Sequence, residues 1–102
     1  MKNSERRIED FETAAKLLRA AWYLQTAFQG DDPKIEAAEK ELKRCRKAWG
    51  EGKWAVARRR AELVTSLIDK IVLGLYPPRV IAYEYTSVLQ LARAYVRKAI
   101  SL

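Results

Sequence analysis

Residues 33–54, PKIEAAEKELKRCRKAWGEGKW, decide the fold. Ile35, Ala38, Leu42, Cys45 and Trp49 recur at 3-4-3-4 spacing, which is one stripe of a 3.6-residue helix and not the alternation of a strand. The positions between them are mostly charged, so this is an outer helix with one narrow buried seam. It runs from about Pro33 to Trp49. Glu36, Glu39 and Glu41 come early and Lys43, Arg44, Arg46 and Lys47 late, in the order that complements a helix dipole. Gly50-Glu51-Gly52 then stops the helix and the next begins at once.

The same grammar extends in both directions. Upstream, Gln29-Gly30-Asp31-Asp32-Pro33 is a stop followed by a start, with Gly30 suited to a left-handed C-cap, Asp32 to an N-cap and Pro33 to the first helical position. Before it, a helix from about Ser4 to Phe28 carries Ile8, Phe11, Ala15, Leu18 and Trp22 inward, joined by Ala14, Leu17, Ala21, Leu24 and Phe28. Downstream, a helix from about Lys53 to Leu75 carries Trp54, Ala57, Ala61, Val64, Leu67, Ile68, Ile71 and Leu75. Gly74-Leu75-Tyr76-Pro77-Pro78 breaks it, since proline is not tolerated in a helix interior. The last helix, about 78–100, turns Ile81, Tyr85, Val88, Ala92, Tyr95 and Ala99 inward, with Val80, Leu89 and Val96 widening the face. Turns this short lay neighbouring helices antiparallel. The expectation is an all-α, up-down-up-down four-helix bundle made of two antiparallel hairpins, with residues 1–102 forming one domain.

Composition narrows the function classes. A hydrophobic content of 49% and a charged content of 32% suit a globular chain. No apolar run approaches the ~18 residues that span a bilayer, and Met1 to Arg7 is not followed by a signal-peptide core. These features predict no membrane association and a cytoplasmic setting, or the interior of a virus particle made in a cell. Histidine is absent, which removes the commonest general base and neutral metal ligand. Cys45, alone and on the buried seam, reads as a small hydrophobe. Glu62, Asp69 and Glu84 are carboxylates within reach of one another, but no nucleophile, base and orienting group assemble around them. Neither an enzyme nor a metal or cofactor site is expected.

The charge distribution points to a partner. The net charge is +7, and between Lys43 and Arg60 stand eight cations (Lys43, Arg44, Arg46, Lys47, Lys53, Arg58, Arg59 and Arg60) against the single anion Glu51. The rest of the chain is balanced. In an up-down-up-down order, Arg93, Arg97 and Lys98 join the same end of the bundle, and Trp49 and Trp54 flank its turn. Clustered Lys and Arg neutralise phosphates, and an accessible Trp stacks on a base. The leading expectation is therefore nucleic-acid binding, DNA or RNA, mainly through the phosphate backbone, in an accessory or packaging role. The bland reading is that the cations complement a helix dipole and the two tryptophans clamp the hairpin.

Two features support an alternative, a protein–protein or homo-oligomeric assembly module. Tyr76, Tyr83, Tyr85 and Tyr95 make the last helix rich in aromatic surface. Gly52-Lys53-Trp54-Ala55-Val56-Ala57 is similar to the turn that opens the second helix of a tetratricopeptide-type hairpin. That likeness covers about one turn, with no repeat of the family's period, and implies a helical module that binds another protein.

Overall fold

Among the described residues of the computed structural model, four helices follow one another: α1 (Lys2–Gln29), α2 (Pro33–Gly50), α3 (Trp54–Leu73) and α4 (Val80–Ile100). The structure describes residues 2–29, 33–73 and 80–101, and within these the side chains of 2–6, 28–29 and 80–83 are left out. No strand occurs among the described residues. Helix ends fall within about two residues of the boundaries read from breakers and caps. The caps assigned to Gly30 and Asp32, and the break at 74–78, lie outside the described residues.

The turn after α2 shows why the chain reverses there. Gly52 N donates to the Trp49 carbonyl at 3.1 Å, and Lys53 N to the Ala48 carbonyl at 2.9 Å. This is the Schellman pattern, and it requires a left-handed residue at the position Gly52 fills, with φ of 76°. Gly50, by contrast, is still helical. Ala57 N then donates to the Lys53 carbonyl at 2.9 Å and starts α3.

Packing is uneven. α2 lies most intimately on α3 and α1 on α4, while α1 against α2 and α3 against α4 touch more lightly. Small residues stand on the buried faces of both pairs: Ala38, Cys45, Ala48, Ala57 and Ala61 in one, where the Cys45 thiol reaches the Ala57 carbonyl, and Ala14, Ala21, Ala92 and Ala99 in the other. Along α2 and α3, Glu41 meets Arg60, Cys45 meets Ala57 and Trp49 meets Trp54, so numbers rise in one helix as they fall in the other. In the other pair, Arg7 reaches Ala99 and Asp10 reaches Lys98. The chain's first and last helices are thus a tight pair, although no short turn joins them. At ~1.5 Å per residue, the 28 residues of α1 account for the molecule's 42 Å length.

The seam expected on α2 is fully buried, with Ala48 added. The face of α1 is rotated from the expected one. Its buried stripe is Phe11, Ala14, Leu18, Ala21 and Gln25, while Ala15 is exposed and Ile8 is 39% exposed. On α4 the stripe is Tyr85, Leu89, Ala92, Val96 and Ala99, and Val88 and Tyr95 are half-buried. Trp54, expected in the core, is 51% exposed because it precedes the first buried turn of α3.

Candidate nucleic-acid interface

The turn after α2, the start of α1 and the finish of α4 share one end of the molecule. Arg7 ties them together: its guanidinium donates to the Ala99 carbonyl at 3.1 Å, and Cζ stands 5.1 Å from the Trp49 ring centroid. A cation here meets a C-terminal carbonyl of α4 and an aromatic face at once. Taken by segments, the helix halves on this side are 2–15, 41–65 and 90–101. They hold 14 Lys and Arg against 7 Asp and Glu, and the remaining segments hold 6 of each. Asp69, which Arg93 of this end contacts, makes eight anions there, so most of the net positive charge lies toward one end.

Within that end, folding redistributes the charge that the sequence window suggested. Glu41 sits just outside the window and receives both Arg44 at 2.8 Å and Arg60 at 3.1 Å. Glu12, from α1, takes Arg46 at 3.1 Å. Lys53 pairs with Glu51 at 3.4 Å, Arg93 with Asp69 at 3.0 Å and Lys98 with Asp10 at 3.9 Å. Lys43, Lys47, Arg58, Arg59 and Arg97 have no carboxylate partner among the described residues, and all five are exposed. Except for the pairs of Glu41 and Asp10, whose carboxylates are mostly buried, the ion pairs here are largely exposed, and such pairs hold weakly.

The basic residues do not share one face. Lys43 lines a groove of about 360 Å³ between α1 and α2, beside Phe11, Ala15 and Leu42. Arg59 and Arg60 line a cleft of about 250 Å³ on α3 with Val56 and Leu63. Arg93 and Arg97 line a groove of about 540 Å³ between α3 and α4. Arg58, one residue from Arg59, is turned about 100° from it on the helix and falls in line with Asp69, on the α4 side. The cations form a belt around one end.

The two candidate stacking rings have different settings. Trp49 is 7% exposed and enclosed by Phe11, Arg7 and Trp54, the last at 4.5 Å between centroids. Trp54 packs one edge there and leaves about half its surface in solvent. Among the tyrosines, Tyr85 is buried and Tyr95 is half-buried with Lys98 Nζ 5.7 Å from its ring. Tyr76 and the Tyr83 side chain lie outside the described residues.

The Cys45 thiol donates to the Ala57 carbonyl at 3.1 Å and is fully buried. Burial, and secondarily the Glu41 carboxylate, push its pKa up to about 11, so Arg44 and Arg46 on either side do not activate it. Glu62 and Glu84 are exposed, and Asp69 is held by Arg93. The Arg7 clasp was not read from the sequence. Its signal was present, since stepping back one turn from Phe11 along the stripe 11, 14, 18, 21 arrives at Arg7.

No helix among the described residues is long and apolar enough to cross a membrane. Compared with protein-family models, with curated proteins and with solved structures, the chain matches none.

Proposed function

We propose that this chain is a small basic helical protein that binds nucleic acid mainly through the phosphate backbone, in an accessory or packaging role. One observation carries the reading. Lys43, Lys47, Arg58, Arg59 and Arg97 stand exposed and without carboxylate partners among the described residues, on the end that holds most of the net charge and the half-exposed Trp54. Cations left free of internal partners exchange counterions for phosphates at no cost in lost pairs. Their scatter over several faces suits contact with backbone and not with a row of base edges. Lys53, Arg44, Arg46, Arg60, Arg93 and Lys98 add to the field, though their carboxylate partners compete with phosphate.

The reading includes an up-down-up-down order for one domain spanning 1–102, supported by the opposed numbering of the contacts in the α2–α3 and α1–α4 pairs. It also includes a cytoplasmic setting, or one inside a virus particle, and no catalysis of its own. The alternative, a protein-binding or homo-oligomeric module, is favoured by Leu63 and Leu91, which are 48% and 49% exposed on α3 and α4.

The test is the double substitution Arg58→Glu and Arg59→Glu. Both side chains are exposed, so the circular-dichroism spectrum and melting temperature stay close to those of the parent. Affinity for nucleic acid falls by tenfold or more. Unchanged affinity, or a parent protein that ignores nucleic acid at low salt, overturns the reading. In the second case a concentration-dependent mass altered by Leu63→Glu supports assembly.

A further inference from the structure

The arrangement of the belt goes further than phosphate contact, and the inference drawn from it rests on the function proposed above. α1 touches α2 and α4, and α3 touches α2 and α4, with no contact across the diagonals among the described residues, so the helices stand in a ring in chain order. The α1–α2 groove and the α3–α4 groove are then opposite edges of that ring. Lys43 lines the first and Arg97 the second, while Arg59 lines the cleft on α3; Lys47 stands one turn along α2 from Lys43, and Arg58 is the neighbour of Arg59 on α3. The bundle measures 21 by 18 Å across.

A double helix cannot serve both edges. Its persistence length is about 50 nm, so over the width of this molecule it is a straight rod that meets one side. Nor does the bundle fit inside a major groove, which is about 12 Å wide against the molecule's 18 Å. A single strand has no such stiffness and follows a curved row of cations. The half-exposed ring of Trp54 adds a stacking surface for an unpaired base, which a duplex keeps stacked within itself.

We infer that the ligand is single-stranded nucleic acid, wrapped from the α1–α2 groove over α2 and α3 to the α3–α4 groove, with Trp54 stacking on one of its bases.

The test measures fluorescence anisotropy with one labelled oligonucleotide, first single and then annealed to its complement, against the parent, Lys43→Ala and Arg97→Ala. Both substitutions are at exposed positions and leave the melting temperature unchanged. The single strand binds at least tenfold more tightly than the duplex. Each substitution weakens it several-fold, although the two side chains face opposite edges. Trp54→Phe lowers single-strand affinity and leaves duplex affinity alone. Duplex binding equal to or tighter than single-strand binding overturns the inference and leaves the phosphate-binding function standing, as does a loss confined to one of the two edges. Failure to bind either form at low salt overturns both together.

Discussion

Replacing Glu41 by glutamine moves stability and binding in opposite directions. The carboxylate, half-buried at the α2–α3 seam, is the acceptor for two of the hairpin's arginines, Arg60 across the seam and Arg44 one turn along α2. The cross-helix pair is partly shielded from water, its side chains 38% and 15% exposed, and contributes about 1 kcal/mol. The i,i+3 pair adds about 0.3 kcal/mol. Glutamine keeps the shape and one weaker hydrogen bond, so the net loss is about 1 kcal/mol, or roughly 4–8 °C in melting temperature for a domain of this size. Binding changes the other way. Two guanidiniums lose an internal anion, and each one recruited by a phosphate steepens the log–log salt dependence by about 0.7 for a single strand. Thermal melts and anisotropy titrations on the same preparations read both effects. A variant that melts lower but binds with unchanged affinity and slope would refute the idea that Glu41 withholds arginines from the ligand. A variant that melts like the parent would refute the pairing itself.

Other outcomes follow from the same contacts. Arg7→Met removes the hydrogen bond to the Ala99 carbonyl and the cation over Trp49, and lowers stability by about 1–2 kcal/mol. Amide exchange at the last turn of α4 rises with it, and a variant without that local effect would show that the clasp holds nothing. Cys45 gives a pH signature. Its folded pKa of about 11 lies above the 9.0 of a free thiol, so burial stabilises the protein below pH 9 and the benefit fades as pH rises from about 9 to 11. The loss across that window is about 2–3 kcal/mol relative to Cys45→Ala, and parallel pH–stability curves for the two proteins would contradict it. Alkylation of the folded protein at neutral pH is correspondingly slow.

The fold was legible wherever the chain speaks in local terms. The 3-4-3-4 spacing of α2 predicts every residue of its buried seam but Ala48, and Gly50-Glu51-Gly52 announces the reversal. What periodicity alone does not supply is the centre of a wide apolar face. α1 and α4 are apolar over so broad an arc that two stripes are defensible, and the choice between Ala15 and Ala14 falls to whichever lets α4 approach. The close packing of α1 on α4, which buries Ala14, Ala21, Ala92 and Ala99, decides it, a pairing between distant parts of the chain.

The candidate site was legible in sum and not in arrangement. Net charge is a property of the sequence, and its accumulation toward one end survives folding. Which cations remain unengaged depends on Glu12 and Glu41, and neither lies between residues 43 and 60. Trp49 and Trp54 look equivalent as flanks of one turn. Only the approach of Phe11 and Arg7 makes the first a core ring and leaves the second half in water.

The most direct measurement is the affinity of the protein for a labelled single-stranded oligonucleotide across a salt series from about 50 to 200 mM. Five unengaged cations, each worth about 0.7 in the log–log slope, predict a slope near −3 to −4, steeper if the paired arginines are recruited. A slope near zero, or no binding at the lowest salt, would mean that the basic belt is a solvated surface and that phosphate is not its partner.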